Sequence, residues 1–244
     1  MCPRKFCTSR FFRFLFARVG KSTLLSLACG LLKPEAGTIR LFDQPPKISS
    51  QQRSQWQHMI PIGYMFQQDH LFEWRTLYQN VMLGPELNHQ QTPEVIGQVK
   101  QMLEFYGLKD FTSSPPSALS GGMRQRAALI RTLALDPALL ILDEPFSALD
   151  YQTRLEVADD ITTLIRKSGK TVLMVTHDLS EAISMADRIV VLSRRPARVK
   201  KIMEITLSVP QKSPLAARSA PEFQGYFNTL WKELKSDEKE EGEE

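Results

Sequence analysis

Cysteine is scarce in this chain. Cys2, Cys7 and Cys29 are the only three in 244 residues, an odd number without metal-ligand spacing. That excludes a disulfide framework and points to a reducing compartment. Long apolar runs are missing too: none approaches the roughly 20 residues of a membrane-spanning helix, so a role at a membrane would require a docking partner. The aromatic start (Phe11, Phe12, Phe14, Leu15, Phe16) is interrupted by Arg13 and Arg18 and lacks a small-residue cleavage site, which reads against a secretory signal. The chain is expected to be cytoplasmic. Net charge is only +4, although the first 21 residues carry six bases and no acid. No recognition motif accompanies those bases, so no nucleic-acid partner is expected. The acidic end, 236–244, reads as a solvated tail. No internal repeat is visible.

What is present suits one large domain with a subdomain. A helix is expected from Lys21 to Leu32, then a turn at Gly37 and a strand over Thr38–Phe42. Ile62–Phe66 is a second short apolar run. From about Leu77 to Tyr106 the pattern is helical, with Val95, Val99, Met102 and Leu103 on one face, until Pro115-Pro116. Ser120 is an N-cap candidate for a helix to about Leu135. Ala138–Leu142 is apolar without alternation, as in a parallel strand covered on both faces. A helix over Tyr151–Lys167, a strand over Thr171–Val175, a helix over Leu179–Met185 and a strand over Ile189–Leu192 follow. The alternation implies an α/β fold with a mostly parallel sheet flanked by helices.

Several residues fall where such a sheet places its chemistry. Asp143 ends a buried strand, and open α/β sheets bind ligands beyond the carboxyl ends of their strands. A carboxylate there suits Mg²⁺, and Glu144 beside it suits the orientation or deprotonation of water. Alone, Asp-Glu-Pro reads as an acidic turn. Ser120-Gly121-Gly122 offers backbone N–H groups at a helix start, where the dipole favours anions; alone, it reads as a helix cap. His177 follows a strand, an ordinary structural position. Gly20-Lys21-Ser22-Thr23 carries the end of a phosphate-binding loop, with Lys21 for the β- and γ-phosphates and Ser22 for Mg²⁺.

The long string Leu-Ser-Gly-Gly-Met-Arg-Gln-Arg from Leu119, then Leu-Leu-Ile-Leu-Asp-Glu-Pro and Ser-Ala-Leu-Asp, resembles the ATP-binding subunit of an ABC transporter. The resemblance covers about residues 19–235. It implies a P-loop NTPase-type cassette with a helical subdomain at about 77–135. It also implies ATP and Mg²⁺ as cofactors, with Glu144 activating water and His177 at the γ-phosphate. Gln67, with Gln68 as the register alternative, would sense Mg²⁺, and Asp150 would communicate across a dimer. The signature turn would contact ATP held by the opposite subunit, so a homodimer is implied. It would sit on transmembrane permease subunits at the inner face of the membrane, served indirectly by a substrate-binding protein. Phe66-Gln67-Gln68-Asp69, Trp74-Arg75-Thr76, Asn80-Val81 and Ser193-Arg194-Arg195-Pro196 resemble the nitrate/sulfonate/taurine importer group. Trp74 and Arg75 are partner-contact candidates there. Importers for aromatic sulfonates, bicarbonate or thiamine precursors stay open, because this subunit does not touch cargo. Cassettes of translation or DNA repair fit less well, since neither a second cassette nor a long coiled coil is present.

The chain departs from the family at its start. The phosphate loop expects glycine at positions 15 and 18, where Leu15 and Arg18 stand. Those glycines let successive N–H groups wrap the phosphates. The preceding strand is replaced by a Phe/Arg-rich segment, and only Phe6 or Phe11 could be guessed as the adenine-stacking aromatic. Either the head is foreign to the fold, through a shifted frame or truncated gene, or this is a variant loop that binds nucleotide weakly. The abruptness of the match favours the first, and both imply weakened nucleotide binding or a catalytically impaired remnant. The expected organisation is therefore an atypical head over 1–18, a cassette lacking part of its N-terminal strands over 19–210, a C-terminal helical extension over 211–235 and a disordered tail over 236–244.

Overall fold

The computed structural model describes residues 12–16, 21–41, 62–147, 149–193, 197–209 and 214–239, with only the backbone defined at 12–16, 22 and 236–239. Six strands form one sheet: β1 Phe12–Phe16, β2 Ile62–Met65, β3 Leu139–Asp143, β4 Thr171–Thr176, β5 Arg188–Leu192 and β6 Val199–Glu204. Their spatial order is β2-β3-β4-β1-β5-β6. The first five run parallel and β6 pairs antiparallel with β5.

The helices are α1 Lys21–Ala28, α2 Leu77–Val81, α3 Leu83–Leu87, α4 Pro93–Phe105, α5 Gly121–Leu133, α6 Tyr151–Ser168, α7 Leu179–Met185, α8 Pro214–Ala217 and α9 Phe223–Lys239. Strand β3 explains why its sequence lacks alternation. Leu140 and Leu142 pack with Ala128, Ile161 and Ile183 on one face, while Leu139 and Ile141 pack with Leu25 and Val175 on the other. Burial of each leucine contributes about 1.5–3 kcal/mol, so both faces must be covered. A separate cluster built on Leu77, Val81, Val99, Leu103 and Ile130 forms the core of the helical subdomain.

The helical stretch expected at 77–106 is three helices. Pro85 has no N–H to offer the carbonyl of Val81, so α2 cannot continue through it. The third helix, α4, starts afresh with Thr92 accepting from Val95 N and Pro93 in its first turn. The expected strand over Thr38–Phe42 appears only as an isolated bridge at Leu41, with Phe42 outside the described residues. The edge strand β6 was not anticipated; its exposed Val199 and Ile202 leave little apolar periodicity to read.

The largest difference lies at the start. Residues 12–16, placed in the head by sequence, form β1 between β4 and β5, with Leu15 opposite Val175 and Phe16 opposite Thr176. That segment is not foreign to the sheet. Without it β4 and β5 would have no hydrogen-bonding partner between them, and two rows of backbone groups would be left unpaired. At the other end, α9 continues through 236–239, so the expected tail begins inside a helix. No helix among the described residues is long and apolar enough to cross a membrane.

Candidate functional site

Strands β3, β4 and β1 are adjacent and parallel, so their carboxyl ends open on one edge of the sheet. Asp143 and Glu144 stand at the end of β3, His177 just past β4, and Lys21 begins α1 after β1. The Lys21 ammonium pairs with Glu144 Oε1. His177 Nδ1 lies 3.0 Å from Glu144 Oε2. Two side chains at opposite ends of a 157-residue stretch (Lys21 to His177) thus converge on the Glu144 carboxylate.

Glu144 is held in a costly backbone conformation, with φ of 45°. A non-glycine residue there costs on the order of 1–3 kcal/mol. The surroundings enforce it: Glu144 N donates to Val175 O at 2.8 Å, and the Ser147 hydroxyl donates to Glu144 O at 3.0 Å. Phe146, 1 % exposed, anchors the turn in the core. Burial pushes the Glu144 carboxyl up, but the hydrogen bond and charge of Lys21, with help from His177, outweigh it and hold the carboxyl below its ordinary value. A strained, desolvated carboxylate held ionised beside a lysine ammonium and an imidazole has the features of a catalytic site.

Asp143 keeps one oxygen for Tyr64, whose hydroxyl donates to Oδ2 at 3.0 Å. Burial and the charge of Asp143 push the Tyr64 phenol up, so it stays a donor. Sequence reading missed Tyr64; its only signal is a polar tip in a short strand that pairs with β3. Asp143 Oδ1 has no partner among the described residues. No group of three or more His, Cys, Asp or Glu side chains able to cage a metal occurs among them either. One free carboxylate oxygen at a strand end nevertheless fits Mg²⁺, which binds through one or two carboxylates with waters and substrate phosphates.

The other predicted residues form a second group. Ser120 caps α5, its hydroxyl accepting from Met123 N at 3.3 Å. Asp150 caps α6, accepting from Thr153 N at 3.1 Å. Gly122 has a packing role that sequence did not reveal: a Cβ there would meet Thr153 Cγ2 at 3.0 Å and Val157 Cγ2 at 3.1 Å, so α5 and α6 approach closely only because the side chain is absent. Gln67 is exposed just beyond β2 and shares a cleft of about 330 Å³ with Asp69, Gly121, Arg124, Gln125 and Leu149. No hydrogen bond or ion pair among the described residues joins Gln67, Ser120, Gly122 or Asp150 directly to Lys21, Glu144 or His177. Thr23 is exposed in α1. Gly20, Arg18, Phe6, Phe11 and Arg194–Pro196 lie outside the described residues, as does the Ser22 side chain.

Trp74 is 78 % exposed and stacks on Phe72, ring centroids 4.6 Å apart. Arg75 Nη1 donates to Glu86 Oε2 at 2.7 Å. Beside His177, Glu181 is a further residue missed by sequence. It is 8 % exposed and accepts from Thr176 Oγ1 at 2.7 Å. Burial, reinforced by Asp178, raises its carboxyl to about 7 against the opposing effects of Thr176, Arg154 and His177.

The family profile described as ABC transporter matches residues 19–147. YtlC, an ABC transporter ATP-binding protein of Bacillus subtilis, is 43% identical over 222 residues, which is 91% of this chain and 82% of that one. The nitrate import ATP-binding protein NrtD of a Synechocystis species is 36% identical over 228 residues, covering 92% and 82%. Among solved structures, cbiO1 of Clostridium perfringens, part of the ABC transporter complex cbiONQ, superposes with a TM-score of 0.67. It is 26% identical, with 84% of this chain and 78% of that one covered.

Proposed function

The chain belongs to the ABC transporter family of ATP-binding proteins, and from that premise we propose that it is the ATP-hydrolysing subunit of an importer for nitrate, a sulfonate, taurine or a related small solute. The observation that carries this is the convergence of Lys21 and His177 on the strained carboxylate of Glu144, beside Asp143. Exposed Trp74 and the Arg75–Glu86 pair support a permease contact at the helical subdomain. The chain would work as a homodimer on the inner face of the membrane.

In the proposed reaction the Lys21–Glu144 pair opens when the triphosphate enters, because the phosphates compete for the ammonium. Lys21 then holds the β- and γ-phosphates. Glu144 takes a proton from water as its oxygen attacks the γ-phosphorus, and the bond to the β-phosphate oxygen breaks to release ADP. His177 steadies the transferring group. Asp143, with Ser22 and Gln67, would hold Mg²⁺, which supplies charge neutralisation for the phosphates when bound. Ser120–Gly122 and Asp150, which make no direct hydrogen bond to Glu144 within one chain, would serve the nucleotide of the second copy.

A second possibility is an impaired cassette. Leu15, which stands in β1 rather than in a loop, and Arg18, each in place of a glycine, favour it, since the loop conformations that wrap phosphates call for glycine. Phosphate release from Mg-ATP by the chain, alone and with its permease in lipid, separates the two. Hydrolysis that disappears in Glu144→Ala supports an active subunit. A wild type that binds permease but releases no phosphate would leave the impaired cassette.

A further inference from the structure

The stretch that leaves β2 divides sharply in how it is held. Gln67 and Gln68 are exposed, and no hydrogen bond among the described residues fixes them. Two residues later the restraints become dense. Arg124, near the start of α5, forks onto Asp69 with Nε to Oδ2 at 2.8 Å and Nη2 to Oδ1 at 3.2 Å. Its Nη1 reaches Glu73 Oε1 at 3.1 Å, and Glu73 in turn accepts from Ser117 N at 3.1 Å, just ahead of the signature string. Arg131, two turns along α5, donates to the carbonyls of Asp69 and His70, each at 2.7 Å. Asn80, fully buried, brackets Phe72 by accepting from its N at 2.7 Å and donating to its O at 3.0 Å.

We propose that Asp69 and Arg124 form a clasp that makes the segment after Gln67 and the Ser120–Gly122 turn move as one piece, which makes Arg124 a positioning residue for that turn. The inference rests on the proposed function for its consequence but not for its geometry. A bidentate fork between planar groups transmits orientation as well as position, which a single charge contact does not. Burial pushes the Asp69 carboxyl up, yet Arg124 outweighs it and holds the carboxyl ionised, so the fork persists at neutral pH. Because Gly121 and Gln67 face the same cleft, a shift of Gln67 relative to the sheet reaches the signature turn through Arg124 without passing through the core. The hinge is the unbonded pair Gln67-Gln68. The moving body is residues 69–73 together with the first turn of α5.

Hydrogen–deuterium exchange on the full chain tests this with Asp69→Asn, Arg124→Gln, and the reversed double variant Asp69→Arg with Arg124→Asp. Arg126→Gln serves as a control, since Arg126 sits on the same helix but pairs with Asp160 at 3.2 Å. Breaking the clasp should speed exchange in 69–73 and 121–125 together, about tenfold, while β3 stays unchanged. The reversed pair should restore both segments. Loosening of one segment without the other, or an equal effect from Arg126→Gln, overturns the clasp. In the permease-bound protein, the single variants should lower kcat about tenfold with ATP affinity within about twofold. Equal loss of both would indicate a merely structural contact and overturn the positioning role. If the wild type hydrolyses no ATP, the proposed function fails, and exchange alone decides the clasp.

Discussion

Replacing Glu144 by glutamine keeps the shape of the side chain and removes the charge on which Lys21 and His177 converge. The Lys21 and Glu144 side chains are 17% and 14% exposed, so solvent screens their attraction only partly. A charge-assisted hydrogen bond in such a setting contributes about 1.5–3 kcal/mol. The His177 contact adds little, because that ring is 60% exposed. Glutamine retains an acceptor for Lys21, so the nucleotide-free protein should lose about 1–2 kcal/mol of stability, seen as a lower urea midpoint at unchanged slope. The same change should favour ligand. The triphosphate no longer competes with a carboxylate for Lys21, and about 1.4 kcal/mol of relief corresponds to about tenfold tighter Mg-ATP binding. Hydrolysis should fall by at least about a hundredfold, the lower end of what a general base contributes. Fluorescent-nucleotide titration, phosphate release and urea denaturation on one preparation check all three. Nucleotide binding that is unchanged or weaker in Glu144→Gln would refute the view that Glu144 occupies Lys21 in the resting state. Because the Glu144 carboxyl is held below its ordinary 4.5, the stability it contributes is present above pH 4.5 and disappears as pH falls through the depressed value.

Glu181 should show the opposite pH sign. Its carboxyl, raised by burial to about 7, holds a proton in the folded state that the unfolded chain releases near 4.5, so stability should fall by about 3 kcal/mol between those values. Glu181→Gln should flatten that fall; a wild-type urea midpoint that does not change between pH 5 and 8 would contradict it. Tyr64→Phe removes the hydroxyl that orients Asp143 and should raise the Mg²⁺ concentration needed for half-maximal nucleotide binding by about tenfold or more, with no comparable change in Mg²⁺-free binding. Gly63→Ala would put a Cβ 2.7 Å from Thr132 Cγ2 and 3.0 Å from Pro137 Cγ. It should destabilise by about 1–3 kcal/mol, whereas an unaltered melting temperature would show that β2 and α5 adjust freely.

Individual elements show how far sequence could reach. The helices α5, α6 and α7 and the strands β3, β4 and β5 are legible because their apolar patterns and caps are local, as with Ser120 before α5 and Asp150 before α6. Asp143, Glu144 and His177 are legible as candidates because each sits at the end of such a strand. Tyr64 and Glu181 are not, since nothing within a few residues marks them, and Arg124, although inside the signature string, carries no local mark of its fork onto Asp69. The significance of Tyr64, Arg124 and Glu181 comes from partners 79, 55 and 5 positions away, in the last case through a burial that sequence does not display.

The segment before Lys21 marks the boundary most clearly. Its Phe/Arg composition carries no strand signature of the expected kind, and sequence alone placed it outside the fold. The sheet nevertheless takes residues 12–16 into its centre, because the backbone groups of β4 and β5 that face each other must be paired whatever the side chains of the strand between them. Sequence determined the family's segments, their order and the residue types at the strand ends. Only the tertiary structure decided that Lys21 and His177 meet on Glu144. Convergence depends on strand order, and strand order is set by long-range pairing that no local pattern encodes.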